Sequence, residues 1–114
     1  MLRIVAKSKI QRPRVSDKNL VYEGSIAIDP KLLELADIMV GEMVQVVNVN
    51  SGARFETYTI EGKPGEVCLN GGTARLGEVG DPLIIISYCL MDSVEAAGYC
   101  IRKVVVDDDN RPKN

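Results

Sequence analysis

The chain has 114 residues, 46% of them hydrophobic, so it is long enough for one buried core and too short for two ordinary domains. Its 14 Lys and Arg residues nearly balance its 16 Asp and Glu residues, and the net charge of -2 argues against a protein that coats nucleic acid or an acidic membrane. The sequence contains no His, which excludes Cys/His metal sites and catalytic triads with an imidazole base.

The lack of recognisable targeting signals and the pattern of cysteines predict a cytoplasmic protein. Charged residues interrupt the segment from Met1 to Lys9, so it has no apolar signal core. The longest apolar run, from Pro82 to Tyr88, is far shorter than the roughly 20 residues of a membrane span. Three cysteines without CxxC spacing are typical of buried, reduced thiols in a reducing compartment.

The first part of the chain predicts short strands and one helix. Leu2 to Lys7 reads as a strand that Ile10 to Val15 extends, with Pro13 indicating an edge or a kink. Ser25 to Ile28 is the next short strand. Asp29-Pro30 then places an N-cap residue before a proline at the first helical position. The two-turn helix that follows ends before Gly41, and its apolar face consists of Leu32, Leu33, Leu35 and Ala36.

The rest of the chain continues the β pattern. Strands are predicted from Glu42 to Val49 and from Arg54 to Ile60, joined by a turn at Asn50-Ser51-Gly52. Further predicted elements are a turn at Gly62–Gly65, a strand at Val67–Leu69, a loop at Asn70–Gly72, a strand at Leu83–Leu90, a short helix at Val94–Ala97 and a strand at Tyr99–Val106. Leu83–Leu90 is expected to be the most buried strand, and the charged tail from Asp107 is expected to be loose. The pattern predicts one domain over residues 1–114, an all-β barrel with minor helices.

The segment Tyr22-Glu23-Gly24-Ser25 offers chemistry that needs no histidine. Glycine before serine allows backbone geometries that other residues resist, so the Ser25 hydroxyl can approach the Gly24 carbonyl carbon. Attack there would move the acyl group from nitrogen to oxygen. Elimination of the ester and loss of ammonia would leave a pyruvoyl group at position 25. Taken alone, however, Gly-Ser is a common turn dipeptide, and a simple turn is then the favoured interpretation.

Motifs along most of the chain favour the chemical interpretation. In order and spacing they resemble the pyruvoyl-dependent aspartate 1-decarboxylase family, from Met1 to about Tyr88, and the resemblance fades in the C-terminal quarter. The matching residues are Lys9, Tyr22-Glu23-Gly24-Ser25, Ala27-Ile28-Asp29, Asn48-Val49, Gly52, Arg54-Phe55, Thr57-Tyr58, Asn70-Gly71 and Val79-Gly80-Asp81. The resemblance implies a double-psi β-barrel, assembled as a homotetramer, that converts L-aspartate to β-alanine and carbon dioxide for pantothenate and coenzyme A synthesis.

The resemblance also assigns roles to individual residues. It implies self-cleavage between Gly24 and Ser25, giving a β chain of residues 1–24 and an α chain of residues 25–114 that begins with a covalent pyruvoyl group. The aspartate amine would form a Schiff base there, and the conjugated carbonyl would accept electrons as carbon dioxide leaves. Tyr58 matches the proton donor. The positions that match substrate-binding residues are Lys9, Arg54, Thr57, Gly71, Gly72 and Thr73, with Tyr22 and Asn70 in supporting positions.

The chemistry of these residues agrees with those roles. Lys9 and Arg54 match cationic pocket residues, and a guanidinium can hold one of the two aspartate carboxylates bidentately. The Thr57 hydroxyl can polarise the Gly24 carbonyl during cleavage, and the backbone N–H groups of residues 71–73 suit a carboxylate. Gln11 stands where some family members have a histidine, so no role is assigned to that side chain.

Two other functions stay open on the sequence alone. The first is a non-enzymatic β-barrel module that binds a protein or a nucleic acid through the basic N-terminal segment, although an aromatic content of 4% offers few base-stacking platforms. The second is a hydrolase that uses Ser25 as an N-terminal nucleophile after simple cleavage. Such a hydrolase would keep the serine, whereas the pyruvoyl route destroys it. The sequence leaves open whether a maturation factor assists cleavage.

Overall fold

The computed structural model describes residues 1–113, which form eight strands and three short helices. The strands are β1 (Leu2–Arg14), β2 (Asp17–Asn19), β3 (Ser25–Ile28), β4 (Met43–Asn48), β5 (Arg54–Glu61), β6 (Val67–Asn70), β7 (Pro82–Asp92) and β8 (Arg102–Val105). The helices are α1 (Pro30–Ala36), a 3₁₀ helix (Gly71–Leu76) and α2 (Ser93–Ala97). The predicted all-β class with minor helices is confirmed, and the double-psi barrel is the topology that the family resemblance predicts for it.

The strands pair in the order β2-β6-β3-β5-β4-β7-β1-β8. The pairs β2–β6, β3–β5 and β1–β8 are parallel, and the other neighbouring strands are antiparallel. β3 therefore lies between two partners that come much later in the chain. This placement decides which residues surround Ser25, the first residue of β3.

The turn from β3 into α1 follows the predicted signals. The Asp29 side chain accepts a hydrogen bond from the Lys31 backbone N–H at 2.8 Å, and Pro30 is the first helical residue. The second Asp29 carboxylate oxygen accepts from Gly65 N at 2.8 Å, so the cap also ties α1 to the loop before β6. The helix packs its apolar face into a core made of Ile10, Val15, Ile26, Ile28, Leu32, Leu33, Ala36, Ile38, Val44, Val46, Val67, Leu69, Leu83, Ile85, Val104 and Val106.

β1 is one strand rather than two successive segments. Its pairing with β7 shifts register between Ala6 and Ser8 and again between Gln11 and Arg14. Arg12, next to Pro13, has a φ of 64°, so the irregularity that the proline predicts is present there. No helix within residues 1–113 is long and apolar enough to cross a membrane.

The most buried strands are β3 and β6, and the prediction for Leu83–Leu90 is wrong. Every residue of β3 and of β6 is buried, whereas Leu90 of β7 is 63% exposed. The cause is that β7 leaves the core together with the start of β1, where Leu90 pairs with Ile4.

The expectation of buried thiols holds only in part, because Cys68 is buried, Cys89 is half-buried and Cys100 is exposed, all three being free.

The tail from Asp107 to Lys113 is hydrogen-bonded to the rest of the domain, so the expectation of a loose tail is wrong for these residues. Asn110 is only 3% exposed, and its side-chain amide donates to Arg14 O at 2.9 Å and to Gly65 O at 3.1 Å. The Asn110 Oδ1 atom accepts from Arg14 N at 2.7 Å. The charged composition of the tail predicted solvation, but one buried amide supplies partners to backbone groups that would otherwise be unpaired.

Replacing Asn110 by Ala is expected to lower the free energy of unfolding by about 2–3 kcal/mol. The change removes three hydrogen bonds to backbone groups of the half-buried residues Arg14 and Gly65, and Ala adopts the positive φ of 61° at this position less readily than Asn. Urea denaturation measures the effect. The control is Asp109→Ala, whose side chain is exposed, and equal stability of the two variants would contradict the account.

Candidate active site

The pairing of β3 with its two neighbours places Ser25 among residues that are distant in sequence. Ser25 lies opposite Asn70 of the antiparallel strand β6. On the other side, Ile26 lies opposite Thr59 of the parallel strand β5, and one further residue in this register brings Tyr58 beside Ser25. Paired residues on neighbouring strands point to the same face of a sheet. Ser25, Asn70 and Tyr58 therefore share one face.

The Ser25 hydroxyl is fully buried and hydrogen-bonded on two sides. It donates to the backbone oxygen of Glu23 at 3.0 Å and accepts from Asn70 Nδ2 at 3.2 Å. These bonds fix the Oγ atom beside the peptide bond that joins Gly24 to Ser25. Attack of Oγ on the Gly24 carbonyl carbon would close a five-membered ring, a geometry that intramolecular reactions favour.

Thr73 makes a contact with Ser25 that the sequence did not reveal. Its Oγ1 atom lies 2.7 Å from Asn70 O, to which the hydroxyl donates, and 3.3 Å from Ser25 O. Thr73 stands in the first turn of the 3₁₀ helix Gly71–Leu76. The sequence assigned this segment a role through its backbone alone, because only the pairing of β3 with β6 brings the side chain to Ser25.

Gly71 presses directly against the Gly24–Ser25 segment. It is buried with a φ of +63°, and a Cβ at this position would lie 2.6 Å from Gly24 Cα and 2.9 Å from Tyr22 O. No side chain fits in so short a gap between two backbones. The glycine therefore allows the start of the 3₁₀ helix to pack on the proposed cleavage site.

Gly71→Ala is expected to destabilise the chain by about 2–4 kcal/mol, because the added methyl clashes with backbone atoms and Ala resists a positive φ. Urea unfolding of the variant in a Ser25→Ala background measures the effect on a single uncut chain. Gly98→Ala is the control, since a Cβ at Gly98 meets nothing within 4 Å. A Gly71→Ala variant as stable as Gly98→Ala would show that the close packing is unimportant.

A hollow of about 240 Å³ opens on the same face as Ser25. Burial and, to a lesser extent, the nearby carboxylates of Asp17 and Glu66 together raise the pKa of the Cys68 thiol to about 11. The lining residues are Asp17, Asn19, Tyr22, Ala27, Ile60, Glu61, Glu66, Cys68 and Asn70. The local field is negative, which by itself does not favour a substrate with two carboxylates.

Lys9 and Arg54 lie on β1 and β5. Lys9 is half-buried on β1, which is four strand positions from β3 in the pairing order. Arg54 is exposed at the start of β5, four residues and about 13 Å along the strand from Tyr58. Its guanidinium donates to Gln45 Oε1 at 3.4 Å. Within residues 1–113, no hydrogen bond joins Lys9 or Arg54 to Ser25, Asn70 or Thr73.

The other predicted site residues differ in how exposed they are and make no hydrogen bond to Ser25 within residues 1–113. Thr57 is half-buried on β5, and within residues 1–113 no hydrogen bond joins its hydroxyl to Gly24. Gly72 is exposed in the first turn of the 3₁₀ helix, where backbone N–H groups have no partner inside the helix. Tyr22 is 52% exposed at the rim of the hollow, and Gln11 is half-buried on β1.

The family model described as aspartate decarboxylase matches residues 1–113 of the chain. The chain belongs to the aspartate decarboxylase family. The match includes the C-terminal quarter, where the motif resemblance fades.

Individual members of the aspartate decarboxylase family are similar over the whole chain. A protein named aspartate 1-decarboxylase from Thermoanaerobacter pseudethanolicus is 54% identical, covering 100% of this chain and 99% of its own length. Proteins of the same name from Desulfitobacterium hafniense and Kosmotoga olearia are also 54% identical, each covering 98% of this chain and respectively 90% and 97% of their own lengths. The resemblance drawn from the motifs is thereby confirmed.

Proposed function

We propose that the chain cleaves itself between Gly24 and Ser25 and then decarboxylates L-aspartate to β-alanine and carbon dioxide, in support of pantothenate and coenzyme A synthesis. The observation that carries the proposal is the buried Ser25 hydroxyl, held between Glu23 O and Asn70 Nδ2 beside the Gly24–Ser25 peptide bond. It occurs in a chain that is 54% identical over its full length to a protein named aspartate 1-decarboxylase.

The cleavage begins with attack of Ser25 Oγ on the Gly24 carbonyl carbon. The C–N bond breaks, the hydroxyl proton passes to the Ser25 nitrogen, and an ester joins Gly24 to the Ser25 side chain. The Asn70 amide positions Oγ for this step through its 3.2 Å hydrogen bond. Thr57, two residues before the Thr59 that pairs with Ile26, is the candidate to polarise the carbonyl.

Elimination then separates the two fragments. Loss of the Ser25 α-proton and breakage of its Cβ–O bond release residues 1–24 with a free carboxylate on Gly24. The remaining dehydroalanine takes up water and loses ammonia, which leaves a pyruvoyl group on residue 25. Thr73 supports the loss of the α-proton, because its hydroxyl lies 3.3 Å from Ser25 O and can turn from Asn70 O to donate to this oxygen as negative charge develops there.

The residues around Ser25 fit a pyruvoyl group. The Asn70 amide and the Thr73 hydroxyl are hydrogen-bond donors directed at Ser25, and donors of this kind suit carbonyl oxygens. When formed, the group supplies a carbonyl that condenses with an amine and accepts electrons as carbon dioxide leaves. Tyr58, on the same face as Ser25, is the proposed donor of a proton to the substrate α-carbon. The free N–H groups of residues 71–73 are proposed to bind a substrate carboxylate.

We place Lys9 and Arg54 in the site through assembly of a homotetramer. Within the described residues neither cation is hydrogen-bonded to the Ser25 cluster, and carboxylates rather than Lys9 or Arg54 line the hollow beside it, so positive charge from a second copy would favour a dianionic substrate. An exposed apolar strip also favours assembly, since surfaces of this kind mark interfaces. The strip lies where β1 and β7 leave the core and includes Leu2 (66% exposed), Ile4 (76%) and Leu90 (63%).

A cytoplasmic location is part of the proposal. The three cysteines are free, which suits a reducing compartment. Whether a maturation factor speeds self-cleavage is a separate question that purified protein answers directly.

Incubation of the purified, cleaved protein with L-aspartate tests the reaction, with β-alanine quantified by chromatography. The proposal expects one β-alanine for each aspartate consumed, and a loss of activity on cyanoborohydride treatment that occurs only when aspartate is present, because this reagent reduces an imine in preference to a ketone. A cleaved protein that keeps Ser25 and makes no β-alanine would favour the hydrolase with a serine nucleophile. An uncut protein without activity would favour the binding module.

A further inference from the structure

Hydrogen bonds link three side chains, those of Cys68 and Asn70 on β6 and of Ser25 on β3. Cys68 is 6% exposed, and its Sγ atom lies 3.3 Å from Asn70 Oδ1. The other end of the same amide, Nδ2, lies 3.2 Å from Ser25 Oγ. The Ser25 hydroxyl in turn donates to Glu23 O. The proposed cleavage mechanism gives Cys68 no role, yet the thiol contacts the residue that holds the nucleophile.

The orientation of the Asn70 side-chain amide decides whether its donor or its acceptor faces the Ser25 hydroxyl. An amide presents an acceptor oxygen on one side and a donor NH₂ group on the other. With Nδ2 towards Ser25, the amide donates a hydrogen bond to Oγ. The Ser25 hydroxyl then remains free to donate its own hydrogen bond to Glu23 O. With the amide reversed, Oδ1 would compete with Glu23 O for that proton, and Oγ would lose its donor.

A thiol on the far side of the amide selects the first of these two directions. The S–H group of Cys68 is a donor, weak but buried, and it satisfies Oδ1 of Asn70. Within residues 1–113, its other acceptor contact is Leu69 O, at the longer distance of 4.0 Å. The raised pKa of about 11 agrees with this geometry, because the thiol keeps its proton at neutral pH and remains a donor.

We propose that Cys68 is a positioning residue for self-cleavage, which holds the Asn70 amide so that Nδ2 faces the Ser25 hydroxyl. The inference rests on the proposed self-cleavage. It concerns the maturation step, so it leaves the turnover of the cleaved enzyme to other residues. A hydroxyl at position 68 can replace the thiol as donor to Oδ1, whereas a methyl group cannot.

The test follows the rate of cleavage in newly synthesised protein. Wild type, Cys68→Ala and Cys68→Ser are produced by cell-free synthesis, synthesis is stopped, and intact-mass spectrometry gives the uncut fraction over time. We expect Cys68→Ala to slow cleavage roughly tenfold, the kinetic equivalent of about one hydrogen bond. Cys68→Ser should stay within about threefold of wild type, because its donor rescues the amide direction.

Cys89→Ala is the matched control, since Cys89 is a free, half-buried thiol on β7 without a contact to Asn70, and it should cleave at the wild-type rate. If Cys68→Ala fails to fold, Cys68→Val keeps an apolar side chain without a donor and takes its place. Wild-type cleavage in Cys68→Ala, or equal slowing in the Ala and Ser variants, would overturn the role of Cys68. A wild-type chain that never cleaves would overturn the proposed self-cleavage itself and the role of Cys68 with it.

Discussion

The Ser25→Ala variant is expected to remain a folded, uncut chain without decarboxylase activity. Without Oγ no atom of residue 25 can attack the Gly24 carbonyl, and no pyruvoyl group can form. The fold should persist, because the change at this buried position removes one small hydroxyl and its hydrogen bonds to Glu23 and Asn70, a loss of about 1–3 kcal/mol. Intact-mass spectrometry, circular dichroism and the β-alanine assay measure the three properties.

The control for this experiment is Ser51→Ala, at an exposed serine in the turn between β4 and β5. It should cleave and turn over like wild type. Cleavage and activity in Ser25→Ala would contradict the mechanism, whereas an uncut but unfolded variant would show that Ser25 is needed for folding.

Tyr58→Phe is expected to cleave normally and to turn over about 10²–10⁴ times more slowly, the range in which a positioned proton donor contributes. Tyr58 shares a face with Ser25 through the β3–β5 register, and Phe preserves the ring while it removes the hydroxyl. The loss should fall on kcat with little change in KM, because the hydroxyl acts on the reacting carbon rather than on substrate binding.

Steady-state kinetics of the cleaved variant provide the measurement. Tyr99→Phe is the control, since the Tyr99 hydroxyl donates to Lys7 O at 2.5 Å, away from Ser25. β-Alanine production by Tyr58→Phe at the wild-type rate would remove the proton-donor role from Tyr58. Failure of the variant to cleave would instead give Tyr58 a part in maturation.

Local signals in the sequence were sufficient for much of the fold. The strand Ser25–Ile28 has the predicted bounds, because Gly24 precedes it and Asp29-Pro30 ends it with a helix cap. β2 was missed, since the three residues Asp17–Asn19 carry no apolar alternation and form a strand only by pairing with β6. The 3₁₀ helix was missed because Gly71-Gly72 reads locally as a turn.

The candidate site also contains residues that local sequence predicts and residues that it does not. Gly24 and Ser25 follow from local chemistry, since a hydroxyl next to a glycine carbonyl needs no distant partner to suggest the reaction. The contacts of Asn70 and Thr73 with Ser25 depend on a pairing between strands that are 45 residues apart, which local patterns do not encode. Lys9 and Arg54 were predicted only through the family resemblance, and their place beside Ser25 stays a prediction.

Intact-mass spectrometry of the purified wild-type protein under denaturing conditions tests the central claim most directly. The account predicts two fragments, residues 1–24 ending in a free carboxylate and a fragment of residues 25–114 about 17 Da lighter than its serine form, the mass of the ammonia lost in making the carbonyl electron sink. A second fragment with the full serine mass would contradict pyruvoyl formation. A single uncut chain that persists through warm incubation would contradict unaided self-cleavage.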